Sequence, residues 1–129
     1  MASFDTNFEL PDVRQQNHPA CFVCDESNAG GLGLEFHATR DGSVEAEFGC
    51  QPIFSGYPGM LHGGVICSLL DGAMTNCLFA HGSAAVTVDM NVRFRHPVKV
   101  ECPAVVKAWL ETQGPPIYRL AAELCQEGQ

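Results

Sequence analysis

The sequence predicts an α+β domain in which one long central helix is wrapped by a curved antiparallel sheet. Three observations carry that reading. An Asp41-Gly42 turn separates two stretches of apolar/polar alternation, a strong hairpin signal. A strongly apolar segment over residues 62–80 has the length and period of a helix. Three further strand candidates follow it with no helix between them, so there is no βαβ alternation and no parallel sheet is indicated.

Taken in order, residues 1–17 lack a firm period and end in the polar run Arg14-Gln15-Gln16-Asn17. They are expected to form a partly ordered arm ahead of a domain spanning residues 18–129. A glycine-rich loop follows at Asn28-Ala29-Gly30-Gly31. Leu32, Leu34, Phe36 and Ala38 alternate before the Asp41-Gly42 turn, and Val44, Ala46, Phe48 and Cys50 alternate after it. Gly56, Pro58 and Gly59 then mark a tight loop. In the helix, Val65, Ile66, Leu69, Leu70, Ala73, Met74, Cys77 and Leu78 cover most of the circumference, which makes it a core helix. Gly82 is its expected stop, and Gly72 inside it indicates close approach of another backbone. Beyond it, Val86, Val88, Met90, Val92 and Phe94 predict a long strand closed by His96-Pro97. A second strand is expected over residues 102–112, and Gln113-Gly114-Pro115-Pro116 turns it into a third over residues 117–126.

A chain of 129 residues makes one domain with a real core. Its formal charge of −8 argues against nucleic acid and anionic membranes as partners. No apolar run approaches the ~20 residues of a membrane span, and the first ten residues have neither a basic flank nor an apolar stretch. The expectation is a soluble, cytoplasmic protein. Its seven cysteines are odd in number and several lie in apolar segments, as reduced core thiols do.

The chemistry centres on residues 60–74, where His62-Gly63-Gly64 opens the apolar helix and Asp71 is its one carboxylate. A carboxylate on an apolar face is costly unless it is hydrogen-bonded, paired or shifted in pKa. No basic residue stands three or four positions away to pair with it. The bare N–H groups of Gly63 or Gly64, at a helix N-terminus, suit a developing oxyanion. Asp71 suits general-base work on a water, or direct attack on a carbonyl. Nine residues of helix separate His62 from Asp71 by ~13.5 Å and about half a turn. One chain therefore does not easily bring both to one reacting group, whereas two copies about a two-fold axis do. The reaction this suits is acyl transfer to water. No Gly-x-Ser-x-Gly elbow is present.

Leu61-His62-Gly63-Gly64 followed by Leu69-Leu70-Asp71 resembles the signature of the hotdog-fold acyl-CoA thioesterases of the phenylacetate-degradation (4HBT) type. The preceding loop, residues 54–60, the stretch over residues 86–98, and Cys21-Phe22-Val23-Cys24 with residues 31–36 are similar as well. The resemblance covers about residues 18–126. It implies a hotdog fold and a homo-oligomer, a dimer or a dimer of dimers, hydrolysing an acyl-CoA substrate. It also implies Asp71 as the catalytic acid, Gly63 as amide donor to the thioester oxygen, His62 as the residue shaping that turn, and Thr87 as a hydroxyl holding the water. The loop from Arg95 through His96 to Lys99 matches a region near the CoA moiety. Where some members carry Asn or Gln before the histidine, this chain has Ser55-Gly56-Tyr57. The family pattern also adds a strand after a turn like Glu127-Gly128, and the sequence ends at Gln129.

Each residue also has a plainer role. His62 caps the turn or serves as a base, and Thr87 is a water ligand or an ordinary strand residue. Arg93, Arg95 and Lys99 place three of the seven basic residues within seven positions, as CoA phosphates or a solvated strand end would want. Cys21-x-x-Cys24 has only His18, His37 and Cys50 nearby as further metal ligands, none at a standard second-pair spacing. Structural loop cysteines are expected, with no metal and no organic cofactor. The alternatives to a thioesterase are a non-catalytic acyl-CoA or fatty-acyl binding protein and, behind it, a hydratase or dehydratase of the same fold.

Overall fold

The computed structural model describes residues 6–128, with side chains from Leu10 onward except Gln113. Helix α1 is Thr6–Asn17 and the central helix α2 is Gly63–Ala80. The strands are β1, His37–Ala38; β2, Val44–Phe48; β3, Ala104–Gly114; and β4, Ile117–Cys125. They form an antiparallel sheet in the order β1-β2-β3-β4.

Register follows the pleat. Val44 pairs with Ala108, Ala46 with Val106 and Phe48 with Ala104, and all six are buried against α2. Leu69, Ala73 and Cys77 meet them from the helix, fully buried. Truncating Leu69 to Ala in such a site costs about 2–5 kcal/mol. The pairing of β3 with β4 shifts between Leu110 and Thr112, leaving Glu111 as a bulge. By length and composition α2 would also suit a membrane span, but here it is the core helix.

The helix begins and ends as its sequence demands. His62 caps it, and at the far end Ser83 N–H donates to Leu78 O (2.9 Å) and Gly82 N–H to Phe79 O (2.9 Å). Gly82, at φ +78°, takes the left-handed conformation of this Schellman stop. At Gly72 the close neighbour is a side chain rather than the expected backbone. A Cβ there would stand 2.5 Å from Val23 Cγ1.

Three other expectations change. The N-terminal segment is helical from Thr6 to Asn17, despite Pro11 inside it. It is anchored by Leu10 in the core and by Arg14, whose Nη1 donates to Asp25 Oδ1 at 3.1 Å. The first half of the predicted hairpin is hydrogen-bonded as a strand only at His37–Ala38. Leu32, Leu34 and Phe36 are still buried, but Leu32 and Leu34 N–H donate to Phe22 O and Val23 O instead.

The third change is the largest. The strand predicted over residues 86–94 is not part of the sheet, because no strand among the described residues pairs with it. Residues 84–97 make no backbone–backbone hydrogen bond among the described residues. Val86 and Val88 are 86% and 85% exposed. The segment rejoins the fold at Val98, whose carbonyl accepts from Leu61 N–H at 2.7 Å.

Candidate active site

His62 organises the helix entrance. Its backbone is extended, its carbonyl accepts from Val65 and Ile66 N–H, and its Nδ1 accepts from Gly64 N–H at 2.8 Å. This is N-capping by a histidine side chain. Gly64, expected as a substrate-binding amide, therefore has its N–H engaged. The Gly63 N–H enters none of the hydrogen bonds among the described residues. It lies at the positive end of an 18-residue helix dipole. The Phe94 ring packs beside Gly63, 3.6 Å from where a Cβ would stand.

Asp71 is half-buried, eight residues along α2 from Gly63. Its Oδ1 accepts from Thr87 Oγ1 at 2.6 Å. Its Oδ2 has no partner among the described residues. The exposed Thr87 belongs to the extended segment after the helix, so this bond ties an otherwise unpaired stretch to α2. Gly63 and Asp71 are ~12 Å apart along the helix axis, so within one protomer they do not converge.

The basic residues do gather. Arg93, Arg95, His96 and Lys99 line a cleft of about 680 Å³ between the extended segment and β4. Ile66 and Leu70 of α2, with Trp109, Ala122 and Leu124, give it an apolar side. Arg93 and Arg95 form no ion pair among the described residues, whereas Lys99 Nζ lies 3.7 Å from Glu127. Sequence reasoning missed Gln126 here. Its amide bridges Lys99 N, Lys99 O and Cys102 O at 2.7–2.8 Å, holding the end of the cleft to β4. No motif marks a lone glutamine at a strand end.

All seven cysteines are free thiols. Burial pushes the Cys77 thiol up to about 12 and Cys24 up to about 11. Of the residues weighed as metal ligands, His18, Cys21 and Cys24 come together, with donor atoms within 4.8 Å of one another. His37 and Cys50 stand outside that cluster. Beside Cys24 lies the fully buried Asn76, whose Oδ1 has no hydrogen-bond partner among the described residues. A buried acceptor without a donor costs about 1–3 kcal/mol.

The family model for the 4HBT thioesterase superfamily matches residues 58–129, which take in the capped helix, Asp71, Thr87 and the basic cleft. The chain belongs to the thioesterase superfamily. It is 30% identical over 84 residues to acyl-coenzyme A thioesterase THEM4 of Bos taurus, a match covering 63% of this chain and 34% of that protein. The chain thus spans about a third of the length of this curated relative. Among solved structures, the E. coli PaaI protein from the phenylacetic acid degradation operon superposes with a TM-score of 0.77 at 17% identity. That match covers 98% of this chain and 86% of PaaI. A hypothetical thioesterase protein with coenzyme A from Streptococcus pneumoniae TIGR4 gives a TM-score of 0.69 at 21% identity, over 74% of this chain and 78% of that one. The superfamily chain therefore has the hotdog fold, with α2 as the helix inside its sheet.

Proposed function

We propose that this chain hydrolyses an acyl-CoA thioester, in a site to which two protomers contribute. The observation that carries the reading is the Thr87–Asp71 hydrogen bond. Thr87 spends its only hydroxyl proton on Asp71 Oδ1, so its oxygen is left as an acceptor and Asp71 Oδ2 as a base. A water bound between them donates to both and has a lone pair to aim at a carbonyl carbon. As that lone pair attacks, Asp71 takes a proton from the water. The thioester oxygen gains negative charge and is met by the Gly63 N–H of the other protomer. Collapse expels the CoA thiolate, which takes up the proton and leaves the free acid.

The extended segment supports the two-protomer reading. Its unpaired backbone and its exposed Val86, Val88 and Phe94 are what a strand offers to a second copy of itself. The curated relative named an acyl-coenzyme A thioesterase, and the related structure that contains coenzyme A, support the substrate class. Arg93 and Arg95 at the cleft suit the CoA phosphates. Seven free thiols suit a reducing compartment such as the cytoplasm.

The test is incubation of the full chain with acyl-CoAs of graded chain length, following release of free thiol. Turnover lost in Asp71→Ala supports the reading. No turnover on any acyl-CoA would refute it and leave a binding protein.

A further inference from the structure

We propose that His18, Cys21 and Cys24 bind one zinc(II) ion, which ties the end of the N-terminal helix to the Cys-x-x-Cys loop beside α2. The site uses none of the residues assigned to thioester chemistry and does not depend on that reading.

The geometry already fits the ion. Ligand atoms on a tetrahedral zinc, with Zn–S about 2.3 Å and Zn–N about 2.0 Å, stand roughly 3.5–3.8 Å apart. Cys24 Sγ lies 3.6 Å from His18 Nδ1, and all three donor atoms fall within 4.8 Å of one another. Small side-chain rotations would bring them to coordination distance. The Cys-x-x-Cys loop also fixes the position of its first sulfur. Cys21 Sγ accepts from Val23 N–H at 3.3 Å and from Cys24 N–H at 3.4 Å, so the chain turns around it.

The histidine is held in place rather than free. Its ring meets Phe79 edge-on with centroids 5.0 Å apart, and Arg14 Nη1 donates to its carbonyl at 3.0 Å. Those contacts leave Nδ1 directed at Cys24. Asn76 supplies a separate observation. It adjoins Cys24, is fully buried, and donates through Nδ2 to Gly72 O at 2.9 Å while Oδ1 has no donor among the described residues. A water in the fourth zinc position is the donor that such an oxygen lacks.

The chemistry selects the metal. Two sulfurs and an imidazole with no carboxylate suit zinc rather than magnesium or calcium. Uptake replaces two thiol protons, which pass to solvent. Zn²⁺ with two thiolates and a neutral imidazole then carries no net charge, which makes its partial burial tolerable. A cleft lined by Arg14, Pro19, Cys24 and Asp25 borders the cluster and gives the ion an entry path.

The experiment uses the full chain, reduced and stripped of metal with a chelator, then titrated with zinc or with cobalt(II) as a coloured probe. One ion per chain should bind, the cobalt form should show a thiolate charge-transfer band, and the thermal midpoint should rise. Cys21→Ser and His18→Gln should each lose zinc retention while keeping their far-UV dichroism. Cys67→Ser should retain zinc as the wild type does. Cys24 is the most buried of the three, so its replacement is not relied upon. Failure of the reduced wild type to bind zinc, or equal retention by Cys21→Ser and His18→Gln, would contradict the proposal.

Discussion

Thr87 donates its hydroxyl proton to Asp71 Oδ1 at 2.6 Å, and this bond fixes the unpaired segment after the helix against the middle of α2. The two residues are 16 positions apart and come from different kinds of backbone. Asp71→Asn keeps the shape and removes the base. We predict a fall in kcat of roughly 10²–10⁴-fold with KM little changed. Thr87→Val removes one contact to the water and one to the carboxylate, and should lower kcat by about 10–100-fold. Steady-state kinetics on one acyl-CoA measures both.

His62 is read as a cap, because its Nδ1 is occupied by Gly64 N–H. His62→Ala should cost about 0.5–2 kcal/mol of stability, the usual loss of an N-cap. Its effect on kcat should be far smaller than that of Asp71→Asn. A urea melt beside the same kinetic assay distinguishes a cap from a base.

Gly72 faces Val23 so closely that a methyl group would meet Cγ1 at 2.5 Å. Helix propensity alone would reward Gly72→Ala by about 1 kcal/mol. The clash with a stiff β-branched side chain should outweigh that, giving a net loss of about 1–2 kcal/mol. Adding Val23→Ala should recover part of it, which equilibrium unfolding of the double mutant would show.

Two carboxylates set the acid side of stability. Ser43, through its hydroxyl first, then Thr39 and the Ser43 N–H, holds the Asp41 carboxyl well below its usual range. Ser27 and Arg14 do the same for Asp25 against the opposing effect of burial. A folded pKa below the unfolded value means that the unfolded chain binds more protons as pH falls. This stability is therefore complete above the ordinary Asp value of about 3.9 and is lost as pH drops below it. The urea midpoint should fall below about pH 4, less steeply in Asp41→Asn.

Most of the fold could be read locally. The central helix was legible from its apolar circumference and its caps, and the hairpin from Asp41-Gly42. Where the reading departed from the structure, the deciding partner was distant or absent. Helix α1 depends on Arg14 reaching Asp25, eleven residues on, which no local pattern displays. The alternation at Leu32, Leu34 and Phe36 reported burial correctly, but not that the backbone bonds go to Phe22 and Val23. The stretch over residues 86–94 has a strand's sequence and no strand to pair with among the described residues. At the site, helix position and residue chemistry singled out Asp71 and the Gly63-Gly64 amides, whereas Thr87 was indicated only by the family resemblance, and its bond to Asp71 shows only in three dimensions. That Gly64 N–H is already taken by His62 became visible only in three dimensions.

The central claim is that Gly63 of one protomer works with Asp71 of another. Proline is tolerated at the first helical position and has no N–H, and His62 already has the extended backbone that precedes proline. Gly63→Pro therefore removes the oxyanion donor while leaving the helix intact. Gly63→Pro and Asp71→Asn chains, each nearly inactive alone, are unfolded together, refolded as an equal mixture and assayed. Shared sites predict recovery to about a quarter of wild-type activity, since half the dimers are mixed and each mixed dimer has one intact site. No recovery, with mixed oligomers demonstrably formed, would place both groups in one protomer and contradict the account.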